Sequence, residues 1–167
     1  PGAMSDSESL SMSPWHETNS LVCLSANDPD TMRRQVQECT QNNLRLLYDP
    51  GQQVNNLPAD DLIAGCKAAE ILMLNEYELS ILIKKTGISE QELKAMPKVF
   101  ITTLGDKGSV IEGSSIKDPV SIGIATPDKV VDPTGAGDAY RGGLLYGLAQ
   151  GWDIEQSAKL GAVMASF

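Results

Sequence analysis

The run Asp132-Pro133-Thr134-Gly135-Ala136-Gly137-Asp138-Ala139-Tyr140-Arg141-Gly142-Gly143 carries the most information in this chain. Small residues at 134–137 let the backbone turn tightly and leave its amides bare, and Asp138 stands at the start of an apolar helical stretch. Amides beside a helix start suit an anion such as a phosphoryl group, and an ionised carboxylate there can take a proton from a hydroxyl. An acidic residue at that place also complements the helix dipole, which alone is worth only ~0.3–1 kcal/mol.

Working outward, short apolar runs alternate with amphipathic segments. Strands are expected over 21–26, 44–49, 71–74 and 99–104, with a hairpin through 109–124. Asp28-Pro29 opens a helix to about Asn43, and helices are expected over 59–69 and 75–86. Ser89 with Glu92 forms a capping box for a short helix, and two helices over 136–150 and 153–167 follow. Strand–helix alternation with continuous apolar strands predicts an α/β fold, a mainly parallel sheet with helices on both faces. Ala139, Gly143 and Gly147 fall at helical spacing, as do Ala158, Gly161 and Ala165. Mid-helix glycines cost ~1 kcal/mol each against alanine, so tight helix–helix contact is expected at Gly147. Gly142 and Gly143 admit a second reading, room for a substrate.

Residues 1–20 read as a separate leader and 21–167 as one domain. Pro1-Gly2-Ala3-Met4 looks like a cloning scar, the serine-rich stretch to Asn19 is expected to be poorly ordered, and Trp15 is the residue there suited to docking. With 167 residues the chain suits one domain, on the prior of ~100–200 residues each. Its 13 basic and 22 acidic side chains give a net charge of −9, against nucleic acid or anionic membrane as partner. No apolar run approaches the ~18 residues of a membrane helix. The opening residues do not read as a signal peptide, and Cys23, Cys39 and Cys66 lack metal or disulfide spacing. A cytoplasmic location is expected. His16 is the single histidine, too few for a triad or a histidine-rich metal site.

Gly135-x-Gly137 is not a dinucleotide fingerprint, since Tyr140 stands where a third small residue belongs, and no Gly-Lys-Ser/Thr of a P-loop occurs. The run 132–138 instead closely resembles the second signature of the ribokinase-like (PfkB) carbohydrate and nucleoside kinases. Two further segments resemble that family in the expected order: Asn75-Glu76-Tyr77-Glu78, like its Asn-x-x-Glu element, and Thr103-Leu104-Gly105-Asp106-Lys107-Gly108, like its nucleotide-contacting turn. Asp49-Pro50-Gly51-Gln52-Gln53 and Ala139-Tyr140-Arg141 look most like the adenosine-kinase-like branch. The resemblance runs from about Leu21 to Phe167, roughly the C-terminal half of such a kinase, and the chain reads as truncated.

The resemblance implies a ribokinase-like three-layer α/β/α fold and an ATP-dependent transfer of the γ-phosphate to a hydroxyl of a ribonucleoside or sugar. Asp138 would be the general base, and Gly135, Ala136 and Gly137 would supply amides to the moving phosphoryl group. Thr103, Gly105 and Gly108 would line the nucleotide, or simply end a strand. Asn75 and Glu78 would hold Mg2+ through water, or simply cap a helix; Asp132 and Thr134 fall near a loop for a monovalent cation such as K+. Asp49 would face the phosphate cleft or cap a turn. A half-length piece that binds nucleotide without turnover, prone to self-association through uncovered apolar faces, is one alternative. A regulatory or scaffold descendant of such a kinase is the other.

Overall fold

The computed structural model describes residues 6–7, 9–15, 20–125 and 134–166. Its six strands run in the order β1-β2-β3-β4-β5-β6, namely Leu21–Ser25, Arg45–Asp49, Ile71–Asn75, Val99–Thr103, Ser109–Glu112 and Val120–Ile122. β1 pairs with β2 and β2 with β3 in parallel, whereas β5 and β6 form the expected antiparallel pair. Six helices accompany them: α1 Pro29–Gln41, α2 Ala59–Ala68, α3 Glu76–Thr86, α4 Glu90–Ala95, α5 Ala136–Ala149 and α6 Ile154–Met164. Internal packing divides the chain into two units, Pro1–Ile101 with Glu112–Lys117, and Thr102–Ile111 with Asp118–Phe167.

In the first unit, local chemistry sets the helix ends. Asp28 accepts the Thr31 N–H at 2.9 Å with Pro29 behind it, and Ser89 and Glu92 close the expected capping box on α4. The apolar stripe of α1 (Met32, Val36, Cys39) packs with alternate strand residues Leu46, Tyr48, Leu72, Leu74 and Phe100 into one core cluster. Leu47, Ile71 and Met73, on the opposite sheet face by strand alternation, are buried as well. Gly65 of α2 is a packing requirement, because a Cβ there would run into the Tyr48 ring. Cys39 and Cys66 are buried thiols, pushed up to about 11 and about 12 by that burial, and so are poor nucleophiles at neutral pH.

The leader makes defined contacts on α1 where it is described. Ser7 and Thr31 share a buried hydroxyl–hydroxyl bond of 2.9 Å, and Arg34 donates to the Leu10 and Ser7 carbonyls at 2.8 and 3.2 Å. Glu38 accepts the Met12 N–H at 2.5 Å and the Ser11 hydroxyl at 3.1 Å. Met12 packs against the core, and Trp15 is 54% exposed. In this clasp, backbone and serine groups of the segment bond to Thr31, Arg34 and Glu38 on α1.

In the second unit, α5 and α6 meet at backbone distance. A Cβ on Gly143 would fall 2.8 Å from the Gly161 Cα, one on Gly161 2.7 Å from the Tyr140 carbonyl oxygen, and one on Gly147 2.8 Å from the Ser157 Cα. Helix–helix contact therefore accounts for Gly143 and Gly147, and the substrate-room reading does not apply to Gly143. α6 also packs on β6.

Two outcomes are expected. Gly161→Ala should lower stability by about 1–3 kcal/mol in urea unfolding, overpacking winning over the ~1 kcal/mol gained in helix propensity. The Glu38 carboxyl is held below its ordinary value: burial, the largest influence, pushes it up, but the Met12 N–H, the Ser11 hydroxyl and Arg34 together outweigh it. A depressed folded-state value means that the clasp is fully favourable above the ordinary carboxylate range and weakens as pH falls through the depressed value. Hydrogen-exchange protection of the Met12 amide should fall across that acidic window, and Glu38→Gln should lower it at neutral pH.

Candidate active site on the first turns of α5

Gly135 sits at the N-cap of α5 with φ of 86°, a left-handed conformation that glycine adopts without strain. Having no side chain, it leaves the first helical amides uncapped by the residue that usually caps them. Ala136, Gly137 and Asp138 form the first turn, and the Ala139 N–H is the first to return to the Gly135 carbonyl, at 2.8 Å. At 100° per residue, Gly137, Arg141, Asp138 and Gly142 share one face about 140° wide, opposite Tyr140, Gly143, Leu144 and Gly147, which are buried.

Glycines on the two faces differ. Those facing α6 are required by contact; Gly137 and Gly142 are exposed, keep ordinary helical backbone, and have nothing within 4 Å of an added Cβ. Neither conformation nor packing among the described residues asks for glycine there, at a propensity cost of ~1 kcal/mol each. An exposed helix start with no side-chain cap is chemically suited to an anion such as a phosphoryl group.

Asp138 lies on this face, 75% exposed, and accepts a 2.5 Å bond at Oδ1 from Arg141 Nη2. Thr134 is exposed in the turn before Gly135, while Asp132 lies outside the described residues.

Thr103 ends β4 half-buried, and a 3-10 turn over Gly105–Lys107 follows, closed by the Leu104 N–H donating to the Gly108 carbonyl at 2.8 Å. Gly108 is needed by the fold itself, since its φ is 87° and a Cβ would strike the Ile122 carbonyl. Gly105 is exposed with open space above it. This turn is joined to the helix start: Ser109, the next residue, shares a buried 2.8 Å bond with the Tyr140 hydroxyl. Burial raises the Tyr140 phenol, against the opposing effect of the Ser109 bond, so the hydroxyl keeps its proton at neutral pH. Sequence reasoning gave Ser109, Tyr140 and Arg141 no role in the site; the available signals were a cation three residues after the carboxylate, and a tyrosine where a plain apolar ring suffices for packing.

Asn75 and Glu78 belong to the first unit, at the start of α3. The Glu78 N–H donates to Asn75 Oδ1 at 2.8 Å and the Asn75 N–H to Glu78 Oε2 at 2.9 Å, so the capping arrangement is formed in full. Asp49 is buried at the end of β2. Among the described residues no group of three or more His, Cys, Asp or Glu side chains is placed to hold a metal.

Comparison with known proteins places the chain. The model of the pfkB family of carbohydrate kinases matches residues 2–167, and the chain belongs to that family. A nucleoside kinase of Methanocaldococcus jannaschii is 30% identical over 156 residues, covering 93% of this chain and 51% of the relative. The solved nucleoside kinase of that organism, an archaeal member of the ribokinase family, superposes with TM-score 0.84 at 27% identity over 99% of this chain and 54% of its own. The Burkholderia thailandensis nucleoside kinase, solved with inosine and with ADP-inosine, gives TM-score 0.83 at 29% identity over 90% of this chain, covering 51% and 47% of those chains. The fold is ribokinase-like α/β, and the chain spans about half the length of these relatives.

Gly137→Ala should separate fold from function. Urea unfolding should show unchanged or higher stability, by up to about 1 kcal/mol, whereas calorimetric affinity of the full-length protein for MgATP should fall.

Proposed function

We propose that this chain carries the phosphoryl-transfer machinery of an ATP-dependent nucleoside kinase, with Asp138 as its general base. The single observation that carries the reading is the exposed face of α5, where two glycines that the fold does not require flank an exposed carboxylate at an uncapped helix start. Family membership and the nucleoside kinases among its relatives support the same class.

The chain's own contribution is positional and electrostatic. The Ala136, Gly137 and Asp138 amides present the positive end of α5 to an anion, stabilising charge on the moving phosphoryl group. Asp138 takes the proton of the acceptor hydroxyl as its oxygen bonds to the γ-phosphorus and ADP departs. The turn at Thr103, Gly105 and Gly108 is assigned to the nucleotide. Mg2+, when bound, would neutralise phosphate charge; it usually keeps several waters and takes one or two carboxylates, and Glu78, bonded to Asn75, would hold one of those waters. A ribonucleoside is the acceptor we favour, since the Burkholderia relative was solved with inosine. The resemblance of residues 49–53 and 139–141 to the adenosine-kinase-like branch makes adenosine the first acceptor to assay beside it.

A second reading, a nucleotide-binding piece without turnover, draws on the half-length match to the relatives. Assaying the 167-residue chain and the full-length protein side by side with inosine, adenosine and ribose, with and without Mg2+ and with K+ against Na+, separates the two.

Asp138→Asn in the full-length protein should lower kcat by ~10^2–10^4 while nucleotide affinity is retained. Turnover near that of the unmodified protein would remove Asp138 from the role of base.

A further inference from the structure

Among the described short-range helical ion pairs, Arg141–Asp138 has the largest contrast between a withdrawn cation and an exposed carboxylate. In Lys94–Glu90 the two side chains are 26% and 54% exposed. The Arg33–Asp30 pair, also three residues apart, exposes 40% and 80% of its side chains, and Lys159–Glu155 exposes 60% and 47%. In the Arg141–Asp138 pair the carboxylate is 75% exposed but the arginine only 16%. Exposed helical pairs contribute little to stability, and withdrawing a guanidinium from water costs more than such a pair returns. A long apolar stem packed down with only its head at the surface is, however, a rigid way to fix a charge.

What that charge fixes is one oxygen of Asp138. Nη2 meets Oδ1 at 2.5 Å, which restrains the carboxylate rotamer and leaves Oδ2 outside that bond on a side chain that is 75% exposed. On either side along the same face, Gly137 and Gly142 keep the space beside the pair open. The pair also shares a helix with Tyr140, whose bond to Ser109 locks the first turns of α5 from behind.

We propose that Arg141 is the positioning residue for the base, holding Asp138 Oδ1 so that Oδ2 meets the acceptor hydroxyl. The inference rests on Asp138 being the base, as argued above. An unanchored carboxylate at the mouth of an exposed helix start samples several rotamers; a held one keeps the reacting oxygen in line, and misplacement of order 1 Å costs about 100-fold in rate.

The test is a double-mutant cycle in the full-length protein, with Asp138→Asn, Arg141→Gln, Arg141→Lys and the Arg141→Gln/Asp138→Asn pair. Arg141→Gln should lower kcat by about 10- to 100-fold while both KM values stay within about twofold, the pattern of an interaction needed only in the transition state. Arg141→Lys should recover part of the loss, having the charge without the fork. On the Asp138→Asn background, Arg141→Gln should cost nothing further, since its target is gone. Should Arg141→Gln fail to fold by near-UV circular dichroism, Arg141→Lys carries the test through its kcat loss at unchanged KM. Unchanged kcat in both arginine variants beside an inactive Asp138→Asn overturns the positioning role and leaves the base in place. An equal loss on both backgrounds, or a rise in the KM for ATP at constant kcat, overturns it in favour of direct phosphate binding. Full turnover in Asp138→Asn removes the base reading, and the positioning role with it.

Discussion

Where α5 crosses α6, Gly143 faces the Gly161 backbone and Gly161 faces the Tyr140 carbonyl, at separations that no Cβ fits. Such contact does more than bring two helices close. A helix pressed backbone to backbone against a neighbour cannot roll about its own axis without losing the fit, so its rotational setting is fixed. With the glycine face turned to α6, the face carrying Gly137, Asp138, Arg141 and Gly142 has a single direction left, outward. The exposure of the carboxylate is in this sense a packing result reached one to two turns further along the helix.

The same unit fixes the start of α5 in a second way. A buried tyrosine hydroxyl requires a partner, and Tyr140 finds it in Ser109, the residue that follows the glycine turn. Gly108 in turn runs so close to β6 that a Cβ there would fall 2.0 Å from the Ile122 carbonyl oxygen. Turn, strand and helix start are therefore mechanically one piece. Two segments joined across 31 positions hold a fixed relation through a single polar bond flanked by close backbone contacts.

Much of this was legible in the sequence, for identifiable reasons. Continuous apolar strands, Asp28-Pro29 and the Ser89–Glu92 box gave elements within a few residues of those observed, because each signal acts locally. The Asp138 motif was legible because so many tiny residues in a row are costly without a use. Asn75 and Glu78 read both as a cap and as a magnesium element, and the reciprocal bonds show that the cap is made; local pattern cannot separate two roles that share one geometry. Arg141 and the Ser109–Tyr140 bond were not legible. The first depends on how deep a side chain is withdrawn, the second on a contact across 31 positions. The leader's clasp on α1 was hidden for the same reason, since serine-rich composition says nothing of which backbone groups a distant Arg34 and Glu38 will take.

Glycine placement gives the most economical route from fold to site. A glycine survives in a helix against its propensity cost when backbone conformation or a close neighbour demands it, and otherwise when something outside the chain does. Gly135 and Gly108 answer to conformation, and Gly143, Gly147 and Gly161 to neighbours. Among the described residues Gly137 and Gly142 answer to neither, and they bracket the ion pair in which the cation is most withdrawn and the anion most exposed relative to it. Two independent departures from what stability alone would select, one in backbone bulk and one in charge burial, thus coincide on two turns of α5. That coincidence on one exposed face of α5 is what the proposed site rests on.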